Sequence, residues 1–256
     1  LNGDDISDDA LVRAFEAVEA ARGSVSLTYF EFGTLAAFVA FADSGLDDWV
    51  LEVGLGGRLD AVNVLDADFA ILTSVDIDHV AFLGDNREVI GFEKAGVLRP
   101  GIPAVYADTD PPRSVLQQAA AQKIRLAMLG RDYQLSSEPQ SGSGFPEVIL
   151  DYETQPVRLP AGPLPVKSMA AAVVAVRQLE PGLSVSAIEQ VLGSLSVPGR
   201  FERLGSSPDV YLDVGHNPHA AEWLAGQLNS LKSSGRRVHA VYGALADKDV
   251  EGVGKA

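Results

Sequence analysis

The sequence predicts an α/β fold built on a parallel sheet, and three observations favour it. Residues 49–53 and 69–75 are apolar runs with the composition of buried parallel strands, and polar residues follow each run. Residues 103–128 then give strand, helix and strand, an order typical of parallel strands joined by right-handed crossovers. Pro and Gly in the segment 198–201 interrupt the helical pattern, and a new strand–helix pattern follows. We therefore expect a boundary between two units at this segment.

Helices around these strands are indicated by capping residues and by apolar spacings of three and four. Ser7 or Asp8 can cap a helix over residues 8–22, which Gly23 ends. Residues 32–43 are apolar almost all round, so this helix should be buried against the sheet. Further helices are expected at 87–98, 112–122, 164–179 and 184–195, and further strands at 210–214 and 238–242.

The composition narrows the class of protein. Acidic residues number 35 and basic residues 20, and the formal charge of −15 argues against a nucleic-acid or anionic-membrane surface. No residue is cysteine, which excludes disulfides and thiol nucleophiles and fits a cytoplasmic protein. No apolar run reaches the roughly 20 residues that a membrane-spanning helix needs.

The segment that follows the first apolar run is rich in glycine and has the character of a binding loop. Glycines at 54, 56 and 57 let the backbone turn sharply and approach a ligand closely. Glu52 lies inside the apolar run, where a carboxylate is costly unless a cation or a donor meets it. Glu52 is therefore a candidate metal ligand, and Arg58 and Asp60 are candidate substrate contacts. The alternative is a tight turn in which the glutamate is paired.

Polar residues after the second run strengthen the case for a metal site. Asp76, Asp78 and His79 follow residues 69–75. Two neighbouring parallel strands would bring Glu52 and His79 to the same edge of the sheet, where ligands bind in open α/β sheets. Mg²⁺ and Mn²⁺ accept such a pair, although oxygen ligands suit Mg²⁺ better. A lone histidine after a strand is usually a hydrogen-bonded structural residue, and that alternative stays open.

Three motifs together resemble the folylpolyglutamate synthases, and most closely the bacterial bifunctional enzymes that also have dihydrofolate synthase activity. They are Leu-Glu-Val-Gly-Leu-Gly-Gly-Arg-Leu-Asp at 51–60, Asp-His at 78–79 with Leu-Gly at 83–84, and Glu-Lys-Ala-Gly at 93–96. These enzymes belong to the Mur ligase superfamily, and the resemblance runs over nearly the whole chain. It implies a Mur-ligase-like fold, with a central ATPase-type domain over residues 1–197 and part of a Rossmann-like domain over 198–256.

The resemblance also implies roles for individual residues at the substrate site. The Thr-Tyr-Phe-Glu segment of the family contributes to the pterin-substrate site, and the residues after the glycines adjoin it. For Phe30, a place in the core is an equally good interpretation. The residues carried over are Thr28, Tyr29, Phe30, Glu31, Leu59, Asp60 and Ala61.

Further roles concern the nucleotide and the reacting groups. Lys94 matches a lysine that can be carbamylated in the family, although a solvated lysine is the commoner case. Arg200 and Asp213 match residues that contact ATP. Ser168 stands where the family normally has an asparagine that contacts the nucleotide, so a hydroxyl replaces the amide at that contact. Val62 is a second departure, because the family usually has Thr or another small residue there.

The implied reaction is ATP-dependent formation of an amide between L-glutamate and either dihydropteroate or tetrahydrofolate, with Mg²⁺ as the metal. We expect a cytoplasmic monomer with no nucleic-acid or membrane partner. The alternatives are a peptidoglycan-precursor Mur ligase and a non-catalytic protein that keeps the fold.

A phosphate-binding loop of the form Gly-x4-Gly-Lys-Ser/Thr is missing from these 256 residues. Because Leu1 begins the sequence and residue 256 follows a strand-like run closely, we expect an internal fragment of a longer enzyme. As a fragment without the phosphate cradle, it should bind ATP weakly and ligate no glutamate at a useful rate.

Overall fold

The computed structural model describes residues 1–77, 80–137, 147–153, 155–160, 162, 164–233, 235, 237–245 and 249–255. Its first elements are two helices that pack on each other, α1 (Asp8–Arg22) and α2 (Tyr29–Asp43). Ser7 caps α1, as its sequence predicts. α2 begins at Tyr29, earlier than the expected residue 32, because Thr28 caps the helix and bonds reciprocally with Glu31 of its first turn. A 3₁₀ turn (Ala61–Val64) follows the glycine segment.

A three-stranded parallel sheet confirms the predicted α/β class. Its strands are β1 (Ala70–Leu72), β2 (Pro103–Tyr106) and β3 (Arg125–Met128), and they lie in the order β1-β2-β3. The connections between them are helical, which parallel pairing requires. They contain α3 (Val80–Leu83), α4 (Arg87–Ala95) and α5 (Arg113–Ala121), and α4 packs on α5.

An antiparallel sheet and two helices complete the first part of the chain. The strands are β4 (Gln134–Ser137), β5 (Val148–Asp151) and β6 (Val157–Leu159), in the order β4-β5-β6. The sequence indicates irregular strands and a loop over 132–156, and within that range the structure pairs residues 134–137 with 148–151 in regular antiparallel register. α6 (Val166–Leu179) and α7 (Val185–Ser194) follow.

The largest core cluster joins these layers through α6. Helix α6 buries small and β-branched residues, which let the helix approach both sheets closely. Val105 of β2, Leu150 of β5 and Val157 of β6 are fully buried in the same cluster as Val174 of α6. A second cluster lies between the parallel sheet and helices α4 and α5. The parallel sheet is therefore covered by helices, as its apolar composition requires.

The last part of the chain is a β-hairpin followed by two helices. β7 (Glu202–Ser206) pairs antiparallel with β8 (Asp209–Leu212) across a turn that contains a cis Ser207–Pro208 bond. α8 (Pro218–Ser233) and α9 (Val250–Lys255) pack on each other. Phe201 stacks on Tyr211 with ring centroids 4.6 Å apart.

Two of the strands predicted from the sequence do not form. Residues 49–53 and 238–242 contain no strand, and within the described residues neither run pairs with a neighbouring strand. Val50 is 94% exposed, and Glu52 is exposed rather than buried. Apolar composition favours a strand, but a strand forms only where a partner offers backbone hydrogen bonds. Among the described residues, no helix is long and apolar enough to cross a membrane.

Candidate substrate-binding site

A cavity of about 660 Å³ lies between the start of α2, the glycine segment, α3 and α4. Its volume is within the range of ligand pockets in proteins. Six of the seven residues expected at the pterin substrate line it, and the seventh, Tyr29, is 98% exposed and does not. The lining consists of Leu27, Thr28, Phe30, Glu31, Thr34, Leu35, Leu55, Gly56, Gly57, Arg58, Leu59, Asp60, Ala61, Val64, Phe82, Leu83, Val89 and Glu93.

One wall of the cavity is the capped N-terminus of α2. The Thr28 hydroxyl accepts the N–H of Glu31 at 3.2 Å, and the Glu31 carboxylate accepts the N–H of Thr28 at 2.7 Å and its hydroxyl at 2.8 Å. These donors, the backbone N–H first, lower the pKa of Glu31 below its ordinary value. The reciprocal cap satisfies backbone donors that a helix start leaves open. The segment Thr-Tyr-Phe-Glu therefore builds the wall as well as lining it.

Phe30 faces the glycine segment rather than the core. It is 48% exposed, and a Cβ added at Gly54 would lie 2.8 Å from its Cζ. A side chain at position 54 would therefore require the Phe30 ring to move. The expectation that Phe30 belongs equally well to the core is therefore not met.

The Asp60 carboxylate holds the glycine segment in shape. Its Oδ2 accepts the N–H of Gly54 at 3.1 Å and of Leu55 at 3.0 Å, and its Oδ1 accepts the N–H of Val62 at 3.0 Å. Both carboxylate oxygens are therefore used by the backbone. The side chain that the sequence marks as a substrate contact is also the one that closes the loop on itself.

The same loop rests on the C-terminal end of α4. The N–H of Arg58 donates to the carbonyl oxygen of Glu93 at 2.8 Å, and the two side chains form a forked ion pair with its shortest contact at 2.9 Å. A Cβ added at Gly57 would lie 2.9 Å from that carbonyl oxygen, closer than real Cβ atoms come. The Arg58 guanidinium also lies 5.8 Å from the centroid of the Phe92 ring.

The cavity combines apolar surface with a few charged groups. Leu59 and Phe82 line the cavity and are 79% and 78% exposed, so both present apolar surface that a ligand could cover. Among the charged side chains in the lining, Glu31, Glu93 and Asp60 are acids and Arg58 is a cation. Such a site suits a ligand with a flat apolar ring and polar edges that accept and donate hydrogen bonds.

The residues expected at the metal and the reacting groups are only partly described. His79 and Asp78 lie outside the described residues, so the expected approach of Glu52 to His79 stays a prediction. Lys94 is half-buried near the end of α4, next to Glu93 of the cavity lining. Over the described ranges, no three His, Cys, Asp or Glu side chains cluster as a metal site.

The expected nucleotide contacts lie on two other parts of the chain. Ser168 is half-buried in the first turn of α6, and Arg200 is exposed just before β7. Asp213 follows β8, and its carboxylate accepts the N–H of Phe201 at 2.8 Å and of Gly215 at 2.7 Å. Asp213 thus ties the residue after Arg200 to the end of β8.

Sequence reasoning missed several residues that build the cavity. Phe82 lines it from α3, and Glu93 does so beside Lys94. Asn63 and Arg99 lie outside the lining and bond to each other, and Asn63 also bonds to the carbonyl oxygen of Arg58 in the loop. A cation just past a helix end is a recognisable signal, because it suits the open carbonyl groups there, and Arg99 has that position.

Comparison with known proteins supports the resemblance. Residues 199–256 match the family described as Mur ligase, glutamate ligase domain. The dihydrofolate synthase/folylpolyglutamate synthase of Escherichia coli is 41% identical over 98% of this chain and 58% of its own length. The Haemophilus influenzae protein of the same name is 36% identical over 99% of this chain and 60% of its own. This chain is homologous to these synthases over nearly its whole length.

Solved structures of these synthases match the fold. Escherichia coli FolC in complex with DHPP and ADP has a TM-score of 0.89 at 37% identity, over 99% of this chain and 60% of that one. The Yersinia pestis bifunctional folylpolyglutamate synthase/dihydrofolate synthase, complexed with AMPPNP and Mn ion, has a TM-score of 0.88 at 40% identity, with the same coverage. The homology and the Mur-ligase-like fold are therefore confirmed, and the chain spans about 60% of the length of the synthases that it matches.

Proposed function

We propose that this protein takes part in the ATP-dependent ligation of L-glutamate to dihydropteroate, to tetrahydrofolate, or to both, in folate biosynthesis. The observation that carries the proposal is the cavity, because six of the seven residues expected at the pterin substrate line it. The homologous FolC structure contains DHPP and ADP, and another homologous structure contains Mn, AMPPNP and L-glutamate. A pterin ring fits the combination of apolar margin and charged side chains in the lining described above.

The chemistry proposed proceeds in two steps. The acceptor carboxylate takes the terminal phosphoryl group of ATP, which gives an acyl phosphate and ADP. The amine of glutamate then attacks the acyl carbon, an amide bond forms and phosphate leaves. The protein contributes mainly by orienting the reactants and by stabilising charge. In this proposal the cavity holds the pterin end of the acceptor.

We assign a divalent cation, Mg²⁺, to Glu52 and His79. The exposure of Glu52 supports this, because a hydrated cation can reach its carboxylate. Mg²⁺ is usually held by one or two protein ligands, with waters and substrate phosphates in its other positions. A site with few protein ligands is therefore suitable, and Mg²⁺ bound there would neutralise charge on the phosphates of ATP.

The remaining residues are assigned to the reacting groups and the nucleotide. Lys94, carbamylated, would carry a negative charge next to the cavity. Arg200 and Asp213 would contact ATP from residues 198–256, with 198–201 as the hinge between the two units. The Ser168 hydroxyl would donate a hydrogen bond to the nucleotide at the position where the family has an asparagine amide. A monomer in the cytoplasm, without nucleic-acid or membrane partners, completes the proposal.

The test is an assay of radiolabelled glutamate incorporation, run on the longest reading frame that contains this sequence. ATP-dependent amide formation with dihydropteroate, with tetrahydrofolate, or with both is the expected result, with one phosphate released per amide. Incorporation only with a peptidoglycan precursor would support the Mur ligase alternative instead. No incorporation with any acceptor, in a folded protein, would support a non-catalytic role.

A further inference from the structure

A hydrogen-bonded pair, Asn63 and Arg99, lies behind the glycine loop and outside the cavity lining. Neither residue is among the expected contacts with substrate, nucleotide or metal. The pair joins two segments that are 36 residues apart in sequence. The loop contributes one wall of the cavity, and the segment after α4 carries the other partner.

Arg99 uses its whole guanidinium to hold this junction. Nη2 donates to the backbone oxygen of Asn63 at 2.8 Å and to its side-chain oxygen at 3.0 Å. Nη1 donates to the carbonyl oxygens of Gly96 and Leu98, each at 3.2 Å. Nε pairs with Asp66, whose side chain is 86% exposed, while the Arg99 side chain is only 20% exposed. Nη2 also lies 3.4 Å from the carbonyl oxygen of Leu65. Asp66 is thus the acceptor at the surface, and the other acceptors are on the two segments that the arginine joins.

The Asn63 side chain uses both its nitrogen and its oxygen in this junction. Its side-chain nitrogen donates to the carbonyl oxygen of Arg58 in the loop at 3.2 Å and to that of Gly96 at 3.0 Å. Its side-chain oxygen accepts from Arg99. This pattern fixes the orientation of the amide, because the reverse orientation would set its oxygen against two carbonyl oxygens. The residue therefore connects the loop to the end of α4 through directed bonds.

The position of this junction matters for the cavity. Residues 56–61 supply one wall, and Glu93 of α4 supplies another. The loop meets α4 through Arg58 and Gly57, both of which line the cavity. Asn63 and Arg99 join the loop to the end of α4 through bonds made by residues outside that lining. A loop fixed by both sets of bonds is held in the geometry in which it lines the cavity.

We infer that Asn63 and Arg99 are positioning residues that fix the glycine loop against the end of α4 and so set the affinity of the cavity for its pterin ligand. The ligand class rests on the proposed function, whereas the effect on the loop does not. Neither residue touches the ligand in this proposal. Their loss loosens the loop and lowers affinity through the geometry of Arg58, Leu59 and Asp60.

The experiment measures two quantities on the 256-residue chain: the Kd for dihydropteroate by calorimetric titration, and the hydrogen exchange of the Gly54 and Leu55 amides. Arg99→Lys keeps the charge but loses the fork, and Asn63→Ser shortens the amide side chain. Each should raise the Kd about tenfold, since small misplacements of positioning groups have large effects. The double variant should raise it by less than the product, because the two residues bond to each other.

Two controls separate positioning from general damage. Asp66→Asn removes only the surface ion pair of Arg99, and its Kd should stay within about twofold of the parent value. Arg131→Gln removes an arginine that bonds to Asp132 and to the carbonyl oxygen of Leu126, away from the cavity lining, and should also leave the Kd unchanged. Adding methylguanidinium should restore part of the affinity of Arg99→Ala and leave the parent protein unaffected.

The results test the positioning role of Asn63 and Arg99 separately from the assignment of a pterin ligand to the cavity. Equal Kd values for the parent, Arg99→Lys and Asn63→Ser would overturn the positioning role, as would an equal loss in Arg131→Gln. If Arg99→Ala does not fold, Asn63→Ser and Arg99→Lys carry the test. If the parent chain does not bind dihydropteroate, the pterin assignment fails. Faster exchange at Gly54 and Leu55 in these variants, but not in Asp66→Asn, would still establish the effect on the loop, and unchanged exchange would refute it.

Discussion

Gly96 marks the point where the end of α4 and the glycine loop come closest. It has an ordinary helical φ of −65°, so its backbone does not require a glycine. A Cβ there would nevertheless lie 2.6 Å from the Cα of Arg58. The requirement for glycine at this position comes from a neighbour 38 residues earlier in the sequence, which local conformation alone would not reveal.

Replacement of Gly96 by alanine should therefore be destabilising. We expect Gly96→Ala to lower the free energy of unfolding by about 1–3 kcal/mol, because the backbone of Arg58 must move away. Urea denaturation with a spectroscopic readout measures the change. Gly33→Ala is the matched control, since Gly33 lies within α2 with nothing within 4 Å of an added Cβ. That substitution should be neutral or stabilising by up to about 1 kcal/mol. A Gly96→Ala protein as stable as the parent would contradict the close approach.

At the scale of elements, α5 takes its N-terminal cap from another helix. Pro112 stands at its N-cap and offers no side-chain acceptor. The Glu88 carboxylate of α4 instead accepts the N–H of Arg113 at 3.1 Å and of Ser114 at 2.8 Å. These backbone donors, with that of Ser114 first, lower the pKa of Glu88. One carboxylate thereby caps α5 and fixes it relative to α4.

The pH dependence of stability should report this cap. A lowered pKa means that the ionised Glu88 stabilises the fold above its ordinary pKa of 4.5, and that this contribution is lost as the pH falls through the lower folded value. Glu88→Gln should therefore unfold at a lower temperature than the parent near pH 7, and the difference should shrink in acid. Thermal unfolding across this range is the measurement, and Glu16→Gln on exposed α1 is the control. A difference that persists undiminished at pH 3 would argue against the charged cap.

The helices were predicted from the sequence more accurately than the strands. The helices expected over 8–22 and 184–195 form close to those bounds, because capping and spacing signals lie within the element itself. The runs 49–53 and 238–242 are apolar but unpaired among the described residues, because strand formation depends on a partner elsewhere. Six of the residues in the cavity lining were named from the motif resemblance, whereas the bonds of Arg99 to a residue 36 positions earlier could not be predicted from local signals.

At the scale of the whole molecule, residues 199–201 belong with the hairpin of β7 and β8 and with α8. The N–H of Gly199 donates to Glu202, the N–H of Val214 donates to the carbonyl oxygen of Gly199, and Phe201 is buried against Tyr211 and Trp223. Residues 195–198, by contrast, are exposed between α7 and this cluster. These bonds support a boundary slightly before the expected segment 198–201.

Limited proteolysis tests the two-unit organisation. We expect a protease of broad specificity to cut first within residues 195–198, since exposed segments with few bonds are cleaved most readily. Mass spectrometry of the early products identifies the site. First cleavage within α6 or within the parallel sheet would contradict the proposed boundary. Stable fragments on both sides of the cut would support two units that keep their own structure.

The bond between Asn63 and Arg99 also has a consequence for the order in which the protein takes shape during synthesis. The chain grows at roughly 5–20 residues per second, so the partner of Asn63 emerges several seconds after it. Helices α1 and α2 are near neighbours in sequence and can pair at once, whereas the glycine loop must wait for the end of α4. One wall of the cavity therefore exists before the others. The newborn chain therefore holds the α2 wall of the cavity in place before residue 99 arrives to fix the loop that carries Leu59.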